Sequence, residues 1–126
     1  VLTDIPTGNY TSNSPPMFTA TDLSVSFTLD VATAVDMSYA LRGIANYIVA
    51  GSALTRLMID GSEAIEARDS SAGNPVSLTG RSVKVLAAGA HTVTVEIFHT
   101  PGSVTVSPSN AAQQRSLLVH VMGIAR

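Results

Sequence analysis

Cysteine is absent from this chain of 126 residues, and so is tryptophan. Without cysteine, neither disulfides nor thiolate-bound metals can hold the fold. Small secreted eukaryotic modules usually carry such bridges, so the absence also counts against that class. Lysine occurs once, at Lys84, and charged residues make up only 13% of the chain, against about 25% in ordinary soluble domains. Seven basic residues are scattered among nine acidic ones for a formal charge of −2, which leaves no electrostatic footprint for nucleic acid. Although 45% of residues are hydrophobic, no apolar run approaches the ~20 residues of a membrane-spanning helix. Such sparse charge has two readings. Either other subunits cover much of the surface, or the composition is simply biased toward alanine and valine.

Catalytic and cofactor signatures are missing as well. No G-x-S-x-G nucleophile elbow occurs, and neither does a P-loop or a G-x-G-x-x-G fingerprint. The expectation is a protein that is not an enzyme and carries no cofactor. Three histidines invite a metal reading. His91 and His99 fall on one face of a strand pattern, but eight residues at ~3.3 Å each separate them by roughly 26 Å. His120 stands alone in sequence, so no metal site is expected, and the histidines read as strand-end caps or interface residues. Asp60, Glu63, Glu66 and Asp69 form the acidic cluster. A Ca²⁺ site needs several oxygens converging on one point, and a solvated hairpin end is the preferred reading over a cation site or paired catalytic carboxylates. With three tyrosines and three phenylalanines, an aromatic platform for sugars would be thin. Tyr10, Tyr39 and Tyr47 are its candidates, although Tyr39 lies on an apolar strand face and reads as core.

What is present is β patterning. Leu23, Val25, Phe27, Leu29 and Val31 alternate with polar residues, as do Val35, Met37, Tyr39 and Leu41, and Val93, Val95 and Ile97. Period two places one set inward and the other in solvent. Gly43 is expected to break the second strand, with a short strand at Tyr47–Ala50 beyond it. Asp60-Gly61 is a two-residue hairpin signal. Residues 63–68 are open between strand and helix, with the preceding turn favouring a strand. Val76–Leu78 and Val83–Val85 read as short strands. Thr100-Pro101-Gly102-Ser103 has the make-up of a type II turn. A polar segment from Ser107 to Arg115 has room for a helical turn. Eight to ten short strands at this spacing predict an all-β, antiparallel two-sheet sandwich.

Residues 1–22 lack a sustained period, and Pro15-Pro16 enforces a stiff, non-helical path. They read as an extended N-terminal arm, with residues 23–126 as the sandwich domain. Asn9-Tyr10-Thr11 matches the glycosylation sequon, which matters only in a secretory context. The start at Val1 fits removal either of an initiator methionine or of a longer leader. In the last strand, Leu117, Val119 and Val121 form one apolar face, and Leu118, His120, Met122 and Ile124 form another. An antiparallel sandwich normally leaves one face of a sheet polar. The arm, a loop or a neighbouring subunit must therefore cover the second.

The strand SVSFTLD, the hairpin LMIDGS, the segment VLAAGAHTVTVEIF and the closing RSLLVHVMG resemble the TNF/C1q-like jelly rolls of phage structural proteins, among them capsid decoration (cement) proteins and fibre tips. The resemblance covers roughly residues 23–126. It implies a homotrimer with the C-terminal strand in the sheet that faces the threefold axis, hence Leu118, His120, Met122 and Ile124 at the trimer interface. The first expectation is a structural virion protein, a trimer on the capsid surface that stabilises a phage head through the major capsid protein lattice. Val1, Leu2, Ile5, Tyr10, Met17 and Phe18 are the apolar anchors an arm could press on that lattice. The alternative is the receptor- or glycan-binding tip domain of a phage tail fibre. A fibre tip ordinarily sits on a shaft in the same chain, for which 126 residues leave no room. A secreted ligand or adhesion module comes third. No nucleic-acid or membrane partner is expected.

Overall fold

The structure is a computed structural model describing residues 1–13, 17–48, 51–69, 76–110 and 113–122; for 65–69 it describes the backbone. The period-two stretches form strands and bury the side they should. In β3 (Thr19–Leu29), Leu23, Val25 and Leu29 are buried, while Ser24, Ser26 and Thr28 face water. In β4 (Thr33–Tyr47), Val35, Met37, Tyr39, Leu41 and Ala45 are buried. Val93, Val95 and Ile97 do the same in β8 (Gly89–His99). Val31 departs from the expected pattern: β3 ends at Leu29, and Val31 lies exposed in the turn that follows.

The remaining elements are β1 (Leu2–Asp4), β2 (Tyr10–Ser12), β5 (Ala53–Ile59), β6 (Ser62–Asp69), β7 (Val76–Leu86), β9 (Gly102–Val106) and β10 (Gln114–Val121). Every pairing is antiparallel. One sheet runs β3-β8-β5-β6; the other is six-stranded, with the path β1-β10-β4-β9-β2 and β7 on β4. Within it, β1-β10-β4-β7 faces β3-β8-β5-β6, and from β3 onward the chain crosses repeatedly between the sheets. That is the jelly-roll order. The core between the sheets falls into two clusters. One centres on Leu23, Met37, Leu57, Val93, Val95, Leu117 and Val119, the other on Leu41, Leu78, Ile97, Val104 and Val106. Each such aliphatic side chain contributes about 1.5–3 kcal/mol when fully buried.

Several expectations are settled here by topology. The 63–68 segment is a strand, because Asp60 (φ 51°) and Gly61 (φ 85°) form a tight turn that folds β6 back on β5. Both central residues at positive φ match the twist of a hairpin. Val76–Leu78 and Val83–Val85 are parts of one strand, β7. Gly43 does not end β4; it is where the strand exchanges partners, from Gln114 of β10 opposite Arg42 to Thr105 of β9 opposite Ile44. A Cβ there would stand 2.5 Å from the Thr105 carbonyl oxygen, so the residue without one sits where the backbones close in. Between β9 and β10 no helical turn is described; instead Asn110 N–H donates to Ser107 O and Gln113 N–H to Asn110 O.

The N-terminal arm is extended but not detached. β1 pairs with β10 (Leu2 opposite Val119) and β2 with β9 (Tyr10 opposite Val106), and β3 already begins at Thr19 rather than at Leu23. The Asp4 carboxylate accepts the Ser24 amide at 2.9 Å. The arm thus lies along its own sandwich and completes one sheet.

Candidate functional site

Because β10 alternates, Arg115, Leu117 and Val119 enter the core while Leu118 and His120 point away from it, and Met122 follows them on the exposed side. Register carries that outer face across neighbouring strands. Leu118 stands beside Thr3 of β1 and Ser38 of β4, and Ser38 stands beside Arg81 of β7. The next row is His120, Asp36 and Val83. Beyond it the Met122 amide donates to Ala34 O, and Ala34 pairs with Val85. Toward the other end the rows are small and polar: Ser116, Ala40 and Thr79, then Gln114, Arg42 and Ser77.

One end of this face is therefore apolar and open. Leu118 is 36% exposed, Met122 53%, Val83 52% and Val85 72%. The charges beside it are already matched: Arg81 grips Asp36 with Nε on Oδ1 at 2.9 Å and Nη2 on Oδ2 at 2.7 Å. That two-pronged contact holds the Asp36 carboxyl below its ordinary range, with His120 adding a smaller favourable field. Of the four residues expected at a subunit interface, Leu118, His120 and Met122 share this face. Ile124 lies outside the described residues. Val83 and Val85 join them, which was not foreseen. Their V-x-V alternation was visible, but the register that sets them beside Ala34 and Asp36 was not.

The arm residues divide. Val1, Leu2, Ile5 and Met17 are exposed, whereas Tyr10 and Phe18 are half-buried in contacts of their own. Phe18 lies 5.6 Å from the Phe98 ring, with the Arg56 guanidinium carbon 3.9 Å above its centroid. Arg56 is itself held by Glu96. Tyr10 lies under Arg115, and burial pushes its phenol pKa up.

Arg115 is the side chain that sequence reading overlooked. It is 1% exposed, donates to both Asp22 carboxylate oxygens (2.8 and 2.6 Å), and gives a third bond to Gly8 O at 2.8 Å. The hint was its parity, since Arg115 occupies an inward position of β10. Its partner in β3 is 93 residues away and left no local signal.

The histidines occupy three separate places. His99 is buried, with Nδ1 donating to Thr100 O at 2.7 Å and Nε2 2.9 Å from the Ser12 hydroxyl. The Tyr47 ring is stacked on it. A serine hydroxyl against an imidazole whose other nitrogen donates is the arrangement of an activated nucleophile. Here both side chains are sealed in the protein, with 4% and 0% exposure, and the contact pins β2 to β8. His91 lies at the other end of β8, against Asp60 and Ala87. Among the described residues no three His, Asp or Glu side chains converge as metal ligands. No sugar platform assembles from the tyrosines: Tyr39 is core with its hydroxyl accepting from Thr55, Tyr10 lies under Arg115, and Tyr47 covers His99.

No family model matches the chain, and no curated sequence is similar to it. Solved structures share its outline. A CBM36-1 domain of a multidomain xylanase from the hindgut metagenome of Trinervitermes trinervoides is 15% identical over 90% of this chain and 78% of that one, with TM-score 0.47. A family 35 carbohydrate-binding module from Clostridium thermocellum is 9% identical over 94% and 98%, with TM-score 0.42. The VP2 subviral particle of infectious bursal disease virus is 14% identical over 94% of this chain and 36% of that one, with TM-score 0.46. These are likenesses of the β-sandwich fold.

Proposed function

We propose that this chain is a TNF/C1q-like structural protein of a phage particle. It acts as a homotrimer on the capsid surface that binds the major capsid protein lattice and stabilises the head. The observation that carries the reading is the outer face of β1-β10-β4-β7. Its apolar end exposes Leu118, Met122, Val83 and Val85, and its Asp36–Arg81 charges are matched within the subunit. At that end the Asp36 and Arg81 charges already pair with each other, so it can lie against a copy of itself without breaking them apart. Burying several of these side chains per subunit contributes on the scale of 1.5–3 kcal/mol each before the cost of association. Exposed Val1, Leu2, Ile5 and Met17 remain available to a second surface, the lattice. The role is one of binding, since the Ser12–His99 pair offers no opening to a substrate.

Sedimentation of the purified chain in dilute buffer tests the trimer, and Leu118→Asp with Met122→Asp should return it to monomers with the fold intact. A wild-type chain that sediments as a monomer ends the trimer reading. Copy number per particle separates decoration from the alternative, a receptor- or glycan-binding fibre tip. Hundreds of copies fit the first and tens fit the second.

A further inference from the structure

At the Asp60–Gly61 end of the sandwich, two turns meet over one side chain. The carboxylate of Asp60, in the β5–β6 turn, is fixed by backbone: Oδ1 accepts the Thr92 amide at 2.8 Å, and the Asp60 amide donates to Thr92 O at 2.9 Å. Its second oxygen, Oδ2, lies 2.6 Å from His91 Nδ1. The other ring nitrogen, Nε2, lies 2.7 Å from the carbonyl oxygen of Ala87, in the turn between β7 and β8. β3 contributes the Phe27 ring, 5.8 Å from the imidazole centroid. Among the described residues, Asp60 is the charged group that faces this histidine.

Both acceptors are of a kind that cannot donate, a carboxylate and a carbonyl. A neutral imidazole has one N–H and can serve only one of them. The other nitrogen would then point a lone pair at an oxygen lone pair. The imidazolium donates to both. We propose that His91 is a proton-operated latch that ties the β7–β8 turn to the β5–β6 turn when protonated and releases the β7–β8 turn when neutral.

Which bond is released follows from acceptor strength. The carboxylate is the stronger acceptor and forms the charge-assisted bond, so the neutral ring keeps its proton on Nδ1 and its bond to Asp60. Nε2 becomes a bare lone pair and lets go of Ala87 O. Asp60 stays in place throughout, because Thr92 holds it through backbone bonds that do not titrate. The movable part is the short connection that crosses from β7 in one sheet to β8 in the other, and the β7 strand leading into it carries exposed Val83 and Val85. In agreement with that geometry, the bonds to Ala87 and Asp60 raise the His91 pKa above its ordinary value, and Thr92 and His91 together lower that of Asp60.

Nitrogen-15 NMR of the imidazole, followed through a pH titration of the full chain, tests the latch. The expected result has three parts. His91 titrates above the ordinary ~6.5 of a free histidine. Its high-pH form is the Nδ1–H tautomer. Backbone order parameters at Ala87 and Ala88 fall along the same titration curve while that of Thr92 holds. Asp60→Asn keeps an oxygen for the Thr92 amide and should bring the His91 titration back toward its ordinary value. A His91 that titrates at or below about 6.5, a high-pH ring protonated on Nε2, or turn order indifferent to pH would each overturn the proposal.

Discussion

His91 and His99 stand on the same side of β8, at opposite ends of the strand, and their surroundings ask opposite things of the same side chain. His99 meets one acceptor, Thr100 O, and one hydroxyl, Ser12, so a neutral ring satisfies both partners. His91 meets two acceptors, and only a charged ring satisfies them. Position accounts for the difference. His99 is sealed between the arm and the second core cluster, where burying a charge would be costly. His91 lies at a turn beside an exposed carboxylate, where water moderates the cost and Asp60 balances the charge. One end of β8 is thus built for permanence and the other for response to protons.

The most damaging way to break this contrast is to remove what seals the buried end. Deleting residues 1–12 takes away β1, β2, the Ser12 contact to His99 and the Gly8 contact to Arg115. It leaves edge backbone of β10 and β9 unpaired and opens Arg115 to water. The loss should be several kcal/mol, comparable with the ~5–15 kcal/mol total of a domain, so a truncated chain should unfold at much lower urea or not fold at all. Near-normal thermal unfolding of that chain would show the arm to be an accessory.

A single substitution at the same end is the next step down. His99→Ala removes a fully buried ring from beneath Tyr47, deprives the Ser12 hydroxyl of its imidazole partner and leaves a cavity. The cost should be about 2–4 kcal/mol, read as a lower urea midpoint at unchanged slope. Ser12→Ala removes one hydroxyl and should cost about 1–2 kcal/mol. The double variant should cost less than the sum, because both substitutions break the same bond.

How much of this was legible depended on distance along the chain. The strands were readable wherever period two ran for five residues or more, as at Leu23–Leu29 and Val93–Ile97, because side-chain alternation is a local property. The Asp60-Gly61 turn was readable for the same reason. Three-residue strands such as Leu2–Asp4 have no period to read, and so the arm read only as extended, without its pairing to β10 and β9. The outward residues Leu118, His120 and Met122 followed from alternation alone, but Val83 and Val85 joined them only through register with β4. Arg115 with Asp22, Ser12 with His99 and Asp60 with His91 are 93, 87 and 31 residues apart. Such pairs are created by the jelly-roll crossings, and no local composition announces them. The separation of His91 and His99 at opposite ends of β8 was legible, because rise per residue is a local property.

The mildest prediction concerns the responsive end and the pH dependence of stability. A folded-state pKa raised above the unfolded one means that the folded chain holds its proton more tightly, so His91 stabilises the fold fully below its unfolded value near ~6.5. That contribution is lost as pH rises through the folded value. Asp60 has the opposite sign: its lowered pKa contributes stability above the unfolded carboxylate value of ~3.9 and loses it as pH falls through the folded one. The pair therefore contributes most in the window between, and the urea midpoint of the wild-type chain should decline as pH rises from about 6.5 through the raised folded-state value of His91. His91→Gln has no proton to lose in that range and should flatten the decline, while His99→Ala should lower the midpoint through lost packing. A wild-type midpoint that is level across the window, or a His91→Gln chain that declines as steeply as the wild type, would place the pH response elsewhere and dissolve the contrast between the two ends of β8.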